Sequence, residues 1–246
     1  MAVTALIGFT IAAIAWSLWI RRVTWRSRWE VAATVNVALQ GCAVVLASPI
    51  ASETIGTFLH RLTGRWNLED FLAHDCFIVA ATAIIYHALG RLADDDTMQE
   101  SFRQFVERPA TICIPVLLIT FSLSNAAQTY RPDFFQLTTD GWLSLYWVLL
   151  AAMLIYLLGY ASRALLILRK DPRSRRVANI YVLGATSAIL ACVVRAVTAV
   201  DKQIQAVEGG RLVWLFACIA GSICAVASAQ AWRQKMRWFQ RPRVQL

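Results

Sequence analysis

The chain has 246 residues, 58% of them hydrophobic, and carries 24 Lys and Arg against 15 Asp and Glu, a formal net charge of +9. Its mean hydropathy of +0.53 goes with an apolar content above the roughly 45–50% of water-soluble domains. An ordinary soluble fold is excluded, and the bilayer is the expected solvent.

Seven stretches approach the length of about 20 apolar residues that carries a helix across hydrocarbon: Val3 to Ile20, Val31 to Ile50, Leu68 to Leu89, Ala110 to Ala126, Trp142 to Tyr160, Val177 to Val200 and Leu212 to Ala231. The expected fold class is therefore all-α, a polytopic seven-transmembrane helix bundle. It forms one domain over 1–246, with a short basic tail at 232–246. No positive charge precedes the first apolar run, whereas Arg21, Arg22, Arg26 and Arg28 follow it. That order reverses a signal peptide and predicts a retained span with its N-terminus outside.

The remaining basic residues agree with this orientation. Alternate connections hold Arg21 to Arg28, then Arg91, Arg103 and Arg108, then Arg163 to Arg176, and finally Arg233 to Arg243. Positive residues in short loops stay cytoplasmic, so these four regions are expected inside, and the C-terminus with them. The expected location is a cell membrane, crossed several times.

Asn36 and Gln40, one turn apart in the second span, either line a pathway or make interhelical hydrogen bonds. After that span, Ser52 is expected to cap a short external helix with Ile55, Phe58, Leu59 and Leu62 on its apolar side, a partial lid over the bundle. The third span opens with Glu69, Asp70, His74 and Asp75. His74 lies about 6 Å below Asp70 at 1.5 Å per residue, and Arg195 about 9 Å from the outer end of the sixth span. Ionisable groups inside a span are costly and need a partner or a role. The expected site is an outward-facing polar pocket in which Asp70 or Asp75 pairs with Arg195 near His74, with Asn125 and Ser122 from the fourth span beside it. The alternative is a structural ion pair in which Arg195 reaches for the headgroups.

Between the third and fourth spans, Asp96 and Gln99 form a capping box opening a surface helix with Met98, Phe102, Phe105 and Val106 on one face. The run Asp94 to Asp96 either favours that helix start through the dipole or holds a divalent cation. Small residues one turn apart, Gly8 with Ala12, Gly184 with Ala188, and Ala217, Gly221 and Ala225, predict close helix approach within the bundle or in a homo-oligomer. In the tail, Trp232, Lys235, Arg237, Trp238, Arg241 and Arg243 mix indoles with cations, as an interfacial anchor on anionic lipid headgroups does, so no nucleic acid is expected.

All six cysteines fall within the spans, without a Cys-x-x-Cys pair, so neither a disulfide framework nor a zinc site is indicated. The seventh span has no lysine for a retinal Schiff base, and no H-E-x-x-H, P-loop or G-x-S-x-G pattern occurs. No metal, no cofactor and no enzymatic activity are expected.

The run Asn67-Leu68-Glu69-Asp70-Phe71-Leu72-Ala73-His74, opening the third span after an N-outside start, resembles uncharacterised actinobacterial multi-pass membrane proteins. Those proteins are often labelled transporters and are encoded near helix-turn-helix or ImmA/IrrE-type genes. Three roles are then open: a small-molecule or stress sensor acting on a cytoplasmic protein partner, a transporter or channel-like protein, and an accessory subunit that recruits another membrane protein.

Overall fold

A computed structural model describes residues 2–28, 30–208 and 210–239, all of its regular structure helical. Arg241 and Arg243 of the expected interfacial anchor lie outside the described residues. Among the described residues, six helices are long and apolar enough to cross a bilayer. They are α1 (Ala2–Ile20), α4 (Leu68–Leu89), α5 (Asp95–Leu123), α6 (Gly141–Leu168), α7 (Arg175–Val200) and α9 (Arg211–Phe239). α2 (Val31–Leu46) is shorter, and it meets α3 (Pro49–Thr63) at a bend of 65°. A seven-residue helix, α8 (Lys202–Glu208), connects α7 to α9.

The bend has a local cause. Ser48 is extended (φ −77°, ψ 148°) and its hydroxyl accepts from Ala51 N at 3.3 Å, so a new helix starts at Pro49. Proline suits that first position because it has no N–H to leave unbonded. The second expected span, drawn to Ile50, therefore ends early, and the cap of the following helix is Ser48 rather than Ser52. Phe58 and Leu62 of α3 are more than half exposed. The expected lid is not packed over the bundle.

The short helix expected before the fourth span is continuous with it through a wide π turn at Arg103–Glu107. Its N-cap is Asp94, without a side-chain cap bond, so the Asp96–Gln99 capping box does not form.

α1, α2, α4, α6, α7 and α9 pack in a closed ring, and α5 lies outside it against α6 and α4. The small residues explain part of this order. A Cβ at Gly184 of α7 would stand 3.1 Å from Cys224 Sγ of α9, and one at Gly221 3.2 Å from Thr10 of α1. Gly8 makes no such approach. Many large apolar side chains, including Phe9, Trp19, Ile112 and Leu183, are at least 60% exposed on the outside of the ring, which is the surface lipid must cover.

The two ends of the ring differ. At the basic end, Arg21, Glu30, Arg91, Arg173 and Lys235 surround one cavity, although they come from three connections and the last turns of α9. Arg21 is a buried staple rather than a free loop charge. It donates to Thr34 Oγ1 (3.0 Å), Ser228 O (3.1 Å), Glu30 O (3.1 Å) and Glu30 Oε2 (3.0 Å), tying α1 to α2 and α9. Lys235 donates to the other Glu30 oxygen at 2.8 Å. At the opposite end, Asn67 Nδ2 donates to Ala126 O and Thr129 O, and Gln205 Nε2 to Leu137 O, closing the connections over the ring.

Candidate functional site: an intramembrane cavity beside Arg195

A cavity of about 150 Å³ lies inside the ring, between α2, α4, α6, α7 and α9. Asn36, Gln40, His74 and Arg195 all line it, together with Phe77, Phe135, Trp147, Leu154 and a run of alanines and glycines. The small residues that bring α7 and α9 together also thin the wall, leaving a narrow apolar slot.

His74 sits where the slot meets the α6 aromatics. Its Nδ1 and Tyr146 Oη are 2.7 Å apart, and its ring stands edge-on to Trp147 at 4.9 Å between centres. Tyr146 and Trp147 are buried. They fix the imidazole, which is thereby a wall group rather than one open to the external water.

Arg195 is only 4% exposed. One terminal nitrogen donates to Thr198 Oγ1 at 3.2 Å, and the guanidinium carbon lies over the Trp147 ring, 4.1 Å from its centre. The other two guanidinium groups, Nε–H and Nη2–H, are buried and have no acceptor, and neither has the buried Trp147 indole N–H. Arg195 and the Trp147 ring stacked on it thus hold three buried donors without an acceptor, although unmet groups of this kind cost about 1–3 kcal/mol each.

The expected pairing with an acid on α4 is not made. Among the described residues no ion pair within 4 Å joins Asp70 or Asp75 to Arg195, in contrast to those that Arg21 and Lys235 make with Glu30. Asp70 is buried and Asp75 half-buried, each with one oxygen that has no partner. Similar depth by residue count does not bring them together: Trp147 of α6 lies against the guanidinium, with His74 of α4 at the edge of the same ring. Asn125 lies in the connection at the end of α5, where its side chain donates to Thr138 O and its backbone N–H to Asp140. Ser122 accepts from Arg65. Both belong to the closure of that end rather than to the cavity.

Asn36 and Gln40 do reach the cavity wall, with most of their hydrogen bonding already used. Asn36 donates to Ala80 O at 2.7 Å and accepts from Gln40 at 3.2 Å. Among the described residues no three His, Cys, Asp or Glu side chains converge as a metal site would require.

Above Arg195 the cavity is stopped by a short turn, Phe134–Gln136, whose two phenylalanines stack into the aromatic group. Phe134 packs on Trp147 at 5.1 Å, and Phe135 on Trp147 at 5.5 Å and Trp214 at 5.4 Å. Asp133 holds the turn: one oxygen accepts from Phe135 N at 3.1 Å and the other from Gln136 Nε2 at 2.9 Å. Burial pushes the Asp133 carboxyl above its usual range, and its hydrogen bonds and the Arg195 charge partly offset this. At the other end, Ile84, Leu165 and Tyr181 line both this cavity and the larger one, about 480 Å³, at the basic end. The turn therefore stands on the side where sequence reasoning opened the site, and three residues of the opposite wall are shared with the cavity at the basic end.

The chain matches no family model, no curated protein and no solved structure.

The residues that sequence reasoning missed are Tyr146, Trp147, Phe134, Phe135 and Asp133. α6 is apolar on all sides, so no periodicity marks Trp147 as facing inward. The adjacent phenylalanines between Asp133 and Gln136 did carry a signal, because paired aromatics in a polar connection must be buried somewhere.

Proposed function

We propose that this chain is a seven-span, N-outside and C-inside protein of a bacterial plasma membrane. It binds a small molecule in the cavity beside Arg195 and signals occupancy to a cytoplasmic partner. The observation that carries this reading is a mainly apolar cavity lined by Arg195 and Trp147, two residues that hold three buried donors without an acceptor. The span count reads the α2–α3 pair, which is long and apolar enough when taken together, as one span broken at its 65° bend. Supporting the orientation is the gathering of basic connections around one end. The resemblance carried by Asn67 to His74 agrees with an actinobacterial source. No catalytic step is assigned.

Signalling requires that the ligand bind one packing of the helices better than another by a few kcal/mol. The Arg21–Glu30–Lys235 group joins α1, α2 and α9 at the basic end, where a shift in the ring becomes a change in the surface offered to a partner.

A second reading, transport, is favoured by the wall residues shared between the two cavities. A panel of carboxylates, alcohols and amines, tested on the purified full chain in nanodiscs and liposomes, separates the readings. Sensing predicts saturable thermal stabilisation by one class, abolished by filling the cavity in Leu154→Trp, without solute flux. Flux of the stabilising solute supports transport. Stabilisation that survives the filled cavity, or none with any class, defeats the binding reading and leaves an accessory role.

A further inference from the structure

We infer that the ligand is a monoanionic carboxylate with a linear apolar body, its head on Arg195 and its tail running toward the basic end. The inference rests on the binding reading above and names the chemical class that the cavity takes.

The head is defined by which donors are unmet. Nε–H and Nη2–H form one edge of the guanidinium, and they point the same way in its plane, the geometry that receives the two oxygens of a carboxylate side by side. Trp147 covers the face of the cation and Thr198 takes the remaining terminal nitrogen, so this edge is what Arg195 has left to offer. The indole N–H of Trp147, the ring that covers the cation, is also unmet.

The groups that Arg195 leaves free are donors, so the ligand head is an acceptor. The carboxylates nearest in charge influence, Glu208 and Asp133, are already engaged. Glu208 accepts from the backbone of Gly210 and Leu212, and Asp133 from Phe135, Gln136 and Trp214. A phosphate dianion fits less well, because one cation alone neutralises a single charge.

The tail follows from the slot. Cavity-lining residues on α7 run from Arg195 to Tyr181, fourteen positions, or about 21 Å at 1.5 Å per residue. The walls between are mainly leucine and alanine, including Leu150, Leu154, Leu158, Ala185, Ala188 and Ala217. Asn36 and Gln40 satisfy each other and Ala80 O, so they demand no polar group from the tail. A long, narrow, apolar slot with a single cation at one end is complementary to a straight-chain acid.

The test is binding of radiolabelled dodecanoate to the full chain in nanodiscs of zwitterionic lipid, with dodecanol, dodecyl phosphate and butanoate as competitors. Saturable binding is expected, with each competitor weaker by about tenfold or more. Arg195→Gln is expected to lose binding by a similar factor. Arg195→Lys, which keeps the charge but not the planar fork, guards against a folding defect and is also expected to weaken binding about tenfold. Equal competition by dodecanol, or full binding by Arg195→Lys, overturns the carboxylate head. Blockage of both dodecyl ligands by Leu154→Trp would then leave the cavity reading standing. Failure of dodecanoate to bind, while another class stabilises the protein through the same cavity, overturns the inference alone.

Discussion

Arg195 of α7 lies over the Trp147 ring of α6 with 4.1 Å between the guanidinium carbon and the ring centre. This stack, with the bond to Thr198, is the chain's own support for a buried cation that no carboxylate reaches. Cation–π contacts are worth about 0.5–2 kcal/mol. Trp147→Leu is therefore expected to lower thermal stability in detergent by several degrees, while Trp147→Phe, which keeps a ring face, loses less. Unfolding followed by tryptophan fluorescence and by circular dichroism checks both.

Glu30 predicts an acid-sensitive step at the basic end. Burial alone would raise its carboxyl, but the Lys235 hydrogen bond and the charges of His87, Lys235 and Arg21 outweigh this and hold it below its ordinary value of 4.5. A group whose folded pKa is depressed stabilises the fold above the unfolded pKa, and that contribution is lost as pH falls through the folded value. Stability should therefore decline below about pH 4.5, and Glu30→Gln should flatten that decline. A melting series across that window measures it. Arg21→Gln leaves Glu30 to Lys235 alone and removes the donor from Thr34 Oγ1, Ser228 O and Glu30 O, for an expected cost of about 1–3 kcal/mol.

Gly210 precedes α9 with φ +80°, and a Cβ there would lie 2.6 Å from Phe135 Cβ. Gly210→Ala combines an unfavourable backbone with displacement of the aromatic cap, so a loss of about 1–3 kcal/mol is expected. Lifting the cap should also speed maleimide modification of Cys192, which lines the cavity three residues before Arg195. Reaction rates with and without the substitution test the cap directly.

Asn67 has φ 56° and its side-chain amide bonds two carbonyls, at 2.7 and 2.8 Å. Asn67→Ala loses both bonds and keeps an unfavourable backbone, for an expected cost of about 2–4 kcal/mol. Asn67→Gly should recover the backbone part only. Comparing the two by thermal unfolding separates conformational strain from hydrogen bonding.

The membrane-crossing helices were legible because an apolar run of that length has few other fates, and five of their expected cores match α1, α4, α6, α7 and α9 closely. The bend after α2 was also written in the chain, as Ser48 followed by Pro49, but apolar length masked it. Depth along a span is read by counting residues, and His74 and Arg195, which count to a similar depth, line one cavity. The angle around each helix axis does not follow from counting when a helix is apolar on every side, as α6 is. Trp147 could therefore take the place assigned to Asp70 and Asp75, and Asn125 could turn to the connection, without any contrary mark in the sequence. Arg21 hid for a related reason: an arginine at the end of a span reads as a headgroup contact, and only the fold supplies Thr34, Ser228 and Glu30 around it.

The central claim is that the protein leaves the Arg195 charge unsatisfied, and the melting temperature of Arg195→Met without ligand tests it most directly. Replacing a buried cation with unmet donors by an apolar side chain of similar length removes their desolvation cost, whereas breaking a buried ion pair costs about 3–5 kcal/mol. The account predicts that Arg195→Met melts at or above the wild-type temperature and binds no dodecanoate. A fall of many degrees, of the size expected for a broken buried pair, would show that Arg195 is held by an acid of its own chain and would contradict the account.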